Sequence, residues 1–315
     1  MAHIVIASRL PSFPGQDPAA AIERIDLGNE LSGWILGNSR SYDLVQEGDS
    51  LVLSLGHIQS ESGSPIKDIL SEILDSFEET QIKNLKERLF GQYTLVIKRG
   101  PRLFIFSDFM GVRNVFYSQN GPVISSSFER VEDLVHTTTA DLNPYKILEF
   151  LAMRQVLYPA WLGRTTCHKR IMWLLPYEYL KLDTGTKTLT KGEVTYAIDN
   201  RKQNETAELA AELVFSLGQA IRSDEYPDAA VGATLTGGHD SRLVAAVAEN
   251  MCSNLRFRIA ASKLNTRSMK DLAVARKVAH KERIPLDTFW FQPDDEKTFV
   301  ALTEGLSPHF NHTIT

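Results

Sequence analysis

Residues 231–246, Val-Gly-Ala-Thr-Leu-Thr-Gly-Gly-His-Asp-Ser-Arg-Leu-Val-Ala-Ala, constrain this chain more than any other stretch. A short apolar run from Val231 to Leu235 ends in Thr236-Gly237-Gly238, and after Asp240-Ser241 an Ala- and Val-rich helical pattern begins. Strand, glycine turn and helix start in that order bring backbone N–H groups and the positive end of a helix to one point. The two glycines let the main chain approach a bulky anion without Cβ interference. Ser241 can cap the helix or donate to that anion, and Asp240 can hold a divalent cation beside it. The expected chemistry is a phosphate pocket; the plain alternative is an ordinary Gly-Gly turn capped by Ser241.

The 315 residues are enough for two domains and a buried core. An apolar fraction of 43% beside 23% charged residues reads as soluble and globular. No run approaches the roughly 20 apolar residues of a membrane span, so a membrane partner is not expected. The N-terminal Met-Ala-His-Ile-Val-Ile-Ala reads as a first strand, not a signal peptide. A net charge of −5 counts against nucleic acid as a partner, although a local basic cleft stays open. Cys167 and Cys252 lie far apart without metal spacing, and read as buried reduced thiols in a cytoplasmic protein.

Along the chain, residues 4–6, 33–36 and 50–55 are strand candidates among Gly, Pro, Asn and Ser turns. From Pro65 the period becomes helical, through Ile66, Ile69, Leu70, Ile73, Leu74 and Phe77. A second short helix is expected to carry Ile82, Leu85 and Leu89, before a hairpin of strands 93–98 and 102–107. The stretch 183–204 is turn-rich and reads as the passage to a second domain. Beyond it, Leu209, Leu213, Val214, Leu217 and Ile221 form a helix stripe expected to pack on a sheet. Residues 255–260 should form a strand parallel to the one that ends at Leu235. Leu272, Ala275, Val278 and Ala279 are the expected buried face of the helix that follows. His280 reads as surface, and Asp294-Asp295-Glu296 as a solvated loop.

The loop is not the GxxxxGK[ST] phosphate loop: its spacing is shorter and no Lys follows the glycines. It resembles the PP-loop of the ATP pyrophosphatases, Ser-Gly-Gly-x-Asp-Ser, with Thr236 where Ser is usual. Upstream, Phe90-Gly-Gln-Tyr-Thr-Leu-Val-Ile97, Leu103-Phe-Ile-Phe-Ser-Asp108 and Gly111-Val-Arg-Asn-Val-Phe-Tyr117 resemble a stretch of class II glutamine amidotransferases. Ser125-Ser-Ser-Phe-Glu129 matches its following Ser-Glu element. Leu142-Asn-Pro-Tyr-Lys-Ile-Leu-Glu-Phe-Leu151 and Ile171-Met-Trp-Leu-Leu-Pro176 are similar to the next elements of asparagine synthetases. In this order, from about residue 90 onward, the whole resembles the asparagine synthetase family.

The resemblance implies an α+β N-terminal Ntn-type αββα sandwich over residues 1–195, a degenerate type-2 glutamine amidotransferase domain. An α/β PP-loop domain with a parallel sheet, adenine nucleotide alpha hydrolase-like and truncated, would follow over 205–315. The implied activity is ATP-dependent amide formation: a small-molecule carboxylate attacks ATP, and an amine or ammonia then displaces AMP from the acyl-adenylate. Asp240 and Ser241 would be catalytic, with Asp240 also the Mg²⁺ ligand. ATP would be held by Leu235, Thr236, Gly237, Gly238, Ser241, Ile259, Ala260 and Asp271. Asp271 also has a second reading, because Ser268-Met-Lys-Asp271 is a capping box.

Family members that hydrolyse glutamine use a Cys at position 2; here that residue is Ala2, and the Asn-Gly pair expected near Gly56-His57-Ile58-Gln59 is missing. Glutaminase activity is therefore not expected, as in β-lactam synthetases, and His57 reads as structural. Synthetase domains of the family also run beyond residue 315, through a second acidic Gly-rich motif and a Lys. The expectation is either a fragment of a longer enzyme or a shortened relative with weak or no catalysis. A non-catalytic nucleotide-binding or interaction protein is the competing class; a homodimer is compatible with either.

Overall fold

The computed structural model describes residues 3–8, 21–36, 42–60, 63–156, 163–196, 206–221, 231–251, 255–263 and 265–290. They divide between two compact units, one within 1–197 and one within 198–311. Ala2, Cys252 and the acidic run 294–296 lie outside the described residues.

The first unit begins with strands β1 (His3–Ala7), β2 (Ala21–Gly28), β3 (Leu31–Leu36), β4 (Tyr42–Glu47) and β5 (Ser50–Ser60). Helices α1 (Ile66–Ser76) and α2 (Ile82–Arg88) precede β6 (Leu89–Arg99), β7 (Arg102–Ser107), β8 (Phe116–Ser118) and β9 (Ile124–Ser125). Then come α3 (Phe128–Val135), α4 (Pro144–Val156), β10 (Ile171–Trp173), β11 (Glu178–Asp183) and β12 (Thr188–Glu193). They build two six-stranded sheets, ordered β10-β8-β9-β1-β3-β2 and β12-β11-β7-β6-β5-β4. Pairing is antiparallel throughout.

Strand alternation explains the layering. Ile4, Ile6 and Ile35 of one sheet meet Leu53, Val96, Ile105 and Leu180 of the other in a single apolar cluster. Each sheet turns its opposite face to helices. Ile69, Leu70, Ile73 and Leu74 of α1 and Ile82 of α2 pack on Val52, Leu95 and Phe104. Phe128, Val131 and Val135 of α3 pack on Phe116 and Ile171. The order is helix, sheet, sheet, helix, and each fully buried aliphatic or aromatic side chain contributes about 1.5–3 kcal/mol.

Two expectations need correction. Leu89 is the first residue of β6, not the end of the second helix, because its side chain enters the same core from a strand. The stretch 183–204 is not all turn: Thr188–Glu193 pairs with β11 as a half-exposed edge strand, which its polar composition disguises.

Lys86 of α2 is almost wholly buried, donating from Nζ to the Ser107 carbonyl at 2.6 Å and lying 5.5 Å from the Phe106 ring centre. Burial pulls its pKa from 10.5 to about 8, against the opposing pull of Asp108. Between those values the unfolded chain binds more protons, so this group makes folding more favourable as pH rises. At about 1.4 kcal/mol per pKa unit the gain across that window is about 3 kcal/mol. Urea unfolding at pH about 8 and about 10 should show Lys86→Met losing that rise; equal pH slopes for both proteins would refute it.

The second unit contains α5 (Thr206–Ile221), β13 (Val231–Thr234), α6 (His239–Met251), β14 (Leu255–Ala261), α7 (Thr266–Glu282) and β15 (Leu286–Trp290). The strands form a parallel sheet in the order β13-β14-β15. Ala245 of α6 and Leu272, Ala275 and Ala279 of α7 cover one face, over Phe257, Ile259 and Ala261. Of the stripe expected on α5, Leu213 and Val214 stand exposed, and α5 lies against α6.

Candidate functional site

The candidate site is the turn between β13 and α6. Leu235 continues β13 by donating its N–H to the Arg258 carbonyl of β14 at 3.0 Å, and the chain then leaves the sheet. Helix α6 starts at His239, which makes Ser241 its third residue and not the cap the sequence allowed. Gly238, His239 and Asp240 are exposed; Thr236, Gly237 and Ser241 are half-buried.

Two hydroxyls hold the turn together. Ser241 Oγ lies 2.7 Å from Thr236 Oγ1 and accepts the Thr236 N–H at 3.1 Å. Thr236 Oγ1 accepts the Gly238 N–H at 3.2 Å. Two of the amides expected to face phosphate are thus engaged by short side chains. Those bonds exchange by hydroxyl rotation without moving the backbone. The amides of Gly237, His239 and Asp240 have no partner among the described residues, as befits the free N–H groups of a helix start.

Gly237 is seated against α7. A Cβ there would lie 2.6 Å from Asp271 Oδ1 and 3.2 Å from Asp271 Cα. Only glycine allows that approach, so the turn and the first turns of α7 are joined. The capping reading of Asp271 is corrected by the same geometry. Asn265 caps α7, accepting from the Arg267 and Ser268 amides at 3.0 and 3.1 Å. Ser268 Oγ instead accepts the Ser262 N–H at 2.9 Å. Asp271 is left beside the phosphate-type turn.

Two other expected contacts change. Leu235 and Ile259 were expected to line a nucleotide, yet their side chains are 0% and 2% exposed within the core under α7. Strand alternation places them inward, so only their backbone is available to a ligand; Ala260, between two inward residues, faces out. Sequence reasoning passed over Arg242. Its Nε donates to the Gly238 carbonyl at 3.2 Å, and its Nη2 is 2.9 Å from His239 Nδ1. The signal was available: four residues past Gly238, an Arg on this helix reaches back over the turn.

No family model and no curated protein matches the chain. Solved structures give slight likenesses. Glutamine-dependent NAD+ synthetase from Acinetobacter baumannii, in complex with ADP, is 17% identical at a TM-score of 0.25, over 41% of this chain and 23% of that one. Glutamine phosphoribosylpyrophosphate amidotransferase from B. subtilis, with ADP and GMP, is 12% identical at 0.33, over 91% and 59%. An allosteric regulatory enzyme of purine biosynthesis is 12% identical at 0.30, over 78% and 61%. The chain spans less than two thirds of each of them. At such TM-scores they assign no role to any residue here.

In the first unit the stretch Gly56-His57-Ile58-Gln59 lies within β5, paired along its length with β6. Asp108 is buried and saturated by amides: Oδ1 accepts from Met110 and Val112, both at 3.1 Å, and Oδ2 from Arg113 at 3.0 Å. Cys167 is a free, half-buried thiol that burial pushes up to about 11, which suits packing and not nucleophilic attack. His280 is exposed on α7, away from the buried face. Among the described residues no three His, Cys, Asp or Glu side chains gather as a metal cluster, and no helix is long and apolar enough to cross a membrane.

Proposed function

We propose that the chain is an asparagine-synthetase-like ATP pyrophosphatase, forming an amide through an acyl-adenylate. The observation that carries this is the glycine turn seated under Asp271 at the start of α6, with the Gly237, His239 and Asp240 amides open. Those donors and the helix end favour the outer phosphates of ATP and the pyrophosphate that leaves. Thr236 and Ser241 present two hydroxyls that can turn from the backbone to phosphate oxygens. Arg242 adds a cation at the same place, where this loop has no Lys.

Magnesium fits this donor set, since it takes one or two carboxylates and fills its remaining positions with phosphate oxygens and water. Asp240 would hold it, with Asp271, packed against Gly237, as the second acid. The ion would offset the phosphate charge during attack at the α-phosphorus by a small-molecule carboxylate. An amine or ammonia would then complete the amide, because a glutaminase nucleophile is not expected of the first unit. That unit's helix–sheet–sheet–helix order supports an Ntn-type ancestry.

Asp240→Ala is expected to abolish carboxylate-dependent pyrophosphate release, by at least about a hundredfold, on the scale of lost charge stabilisation. Unchanged release would remove Asp240 from the mechanism. The internal bonds of Thr236 and Gly238 favour a second reading, a non-catalytic nucleotide binder. ATP binding by calorimetry, with no pyrophosphate released on any carboxylate supplied, would favour that reading.

A further inference from the structure

His239 and Arg242 make a pair that the glycine turn does not need for its own fold. Helix α6 opens at His239, so Arg242 lies one turn on, at i+3 from His239 and i+4 from Gly238, where helix side chains meet. Its guanidinium reaches back: Nε donates to the Gly238 carbonyl at 3.2 Å and Nη2 to His239 Nδ1 at 2.9 Å. A guanidinium has donors only, so this contact also sets the imidazole. Nδ1 accepts, and the proton of the neutral ring sits on Nε2.

Both partners are neutral. Among the described residues no carboxylate pairs with Arg242, not even the nearby Asp240. His239 is exposed and Arg242 half-buried, and a long side chain at such a position loses rotamer freedom when it is fixed. A carboxylate partner would offset that loss and cancel the charge. A carbonyl and an imidazole hold the side chain and leave its charge whole. The Nη1 hydrogens have no partner among the described residues, on the same turn as the open Gly237, His239 and Asp240 amides.

We propose that His239 is a positioning residue, whose ring holds Arg242 at the turn as a pre-aligned donor for the outer phosphates of ATP and for pyrophosphate. This rests on the reading of the turn as an ATP site. A donor already fixed loses little freedom when the ligand arrives, and a planar guanidinium meets phosphate oxygens in a fork. His239 acts through its acceptor atom, not through a charge or its bulk. His239→Asn keeps an acceptor, the side-chain oxygen, near the place of Nδ1; His239→Phe keeps a ring and removes the acceptor.

The test is calorimetry on the whole chain with ATP and, separately, with inorganic pyrophosphate, both with magnesium. Arg242→Ala should weaken each about thirtyfold, as the loss of a charge-assisted hydrogen bond does. His239→Phe should weaken each about fivefold, the effect of a donor that must be ordered on binding, and His239→Asn by less than about twofold. In the Arg242→Ala background His239→Phe should cost nothing further, because the two side chains act as one unit. Circular dichroism verifies that the variants fold. Equal losses in the Asn and Phe variants, additive losses in the double variant, or affinities that none of these changes moves would overturn the proposal. Pyrophosphate release that still depends on Asp240 would then leave the ATP reading standing. A chain that binds neither ligand loses both readings together.

Discussion

Gly237→Ala is expected to lower ATP affinity about a hundredfold, because overpacking here distorts the phosphate seat itself. The new methyl would sit 2.6 Å from Asp271 Oδ1 and 3.2 Å from Asp271 Cα. The carboxylate can swing away at small cost; the backbone of α7 cannot. The turn must retreat from the helix, carrying the Gly237 and Gly238 amides out of line with those of His239 and Asp240. A global destabilisation of about 1–3 kcal/mol should accompany the loss. Combining it with Asp271→Ala removes the contact to Oδ1 but leaves the one to Cα, so the lost affinity should not return. Calorimetry on the three proteins decides the matter. Wild-type affinity in Gly237→Ala would mean that ATP, if bound at all, is not held by this turn. The neighbouring Gly232, with nothing within 4 Å of its absent Cβ, is the control: alanine there should change neither property.

Why the turn could be read from the sequence and its support could not follows from range. Thr236, Gly237, Gly238, Asp240 and Ser241 are adjacent in the chain, and strand, turn and helix signals are local. The seat beneath Gly237 comes from Asp271 on α7, a residue with two readings in sequence, a nucleotide contact and a cap of its own helix. Asn265 makes the cap instead, which frees Asp271 for the turn. The apolar run ending at Leu235 gave the strand, yet not which side chains point inward. That depends on the pairing of β13 with β14, and it turned Leu235 and Ile259 from ligand-lining candidates into core.

The first unit shows the same division. Helix α1 was legible because Ile69, Leu70, Ile73 and Leu74 repeat at helical spacing, and the β6–β7 hairpin because both strands are apolar runs around a Gly-Pro turn. Strand β12 was not, since an edge strand covered on one side needs few apolar residues and Thr-Leu-Thr-Lys-Gly-Glu looks like loop. Arg258 and Phe289 lie far apart in sequence, so their stacked pair is visible only once β14 and β15 are placed side by side.

A large loss of stability is expected from Gly91→Ala. Gly91 and Gly56 face each other obliquely across β5 and β6, one on either side of the paired His57 and Gln92. Both have left-handed backbones, with φ of +112° and +98°. The relation is reciprocal: a Cβ at Gly91 would lie 2.3 Å from the His57 carbonyl oxygen, and one at Gly56 2.2 Å from that of Gln92. Neither carbonyl can retreat without breaking the ladder it belongs to. A side chain at positive φ costs about 1–3 kcal/mol, and overpacking adds about 1–3 more, so a loss of about 4 kcal/mol is expected. For a unit of this size that lowers Tm by about 8–16 °C. Gly56→Ala should cost at least as much, since its Cβ would also fall 2.7 Å from Arg113 Nε. Thermal unfolding followed by near-ultraviolet circular dichroism reads both; a shift of only a few degrees would mean that the strands part there freely. The same close approach bears on function. With the strands pressed together at this pair and the Arg113 guanidinium beside Gly56, the segment where the resemblance would put an Asn-Gly pair is paired strand.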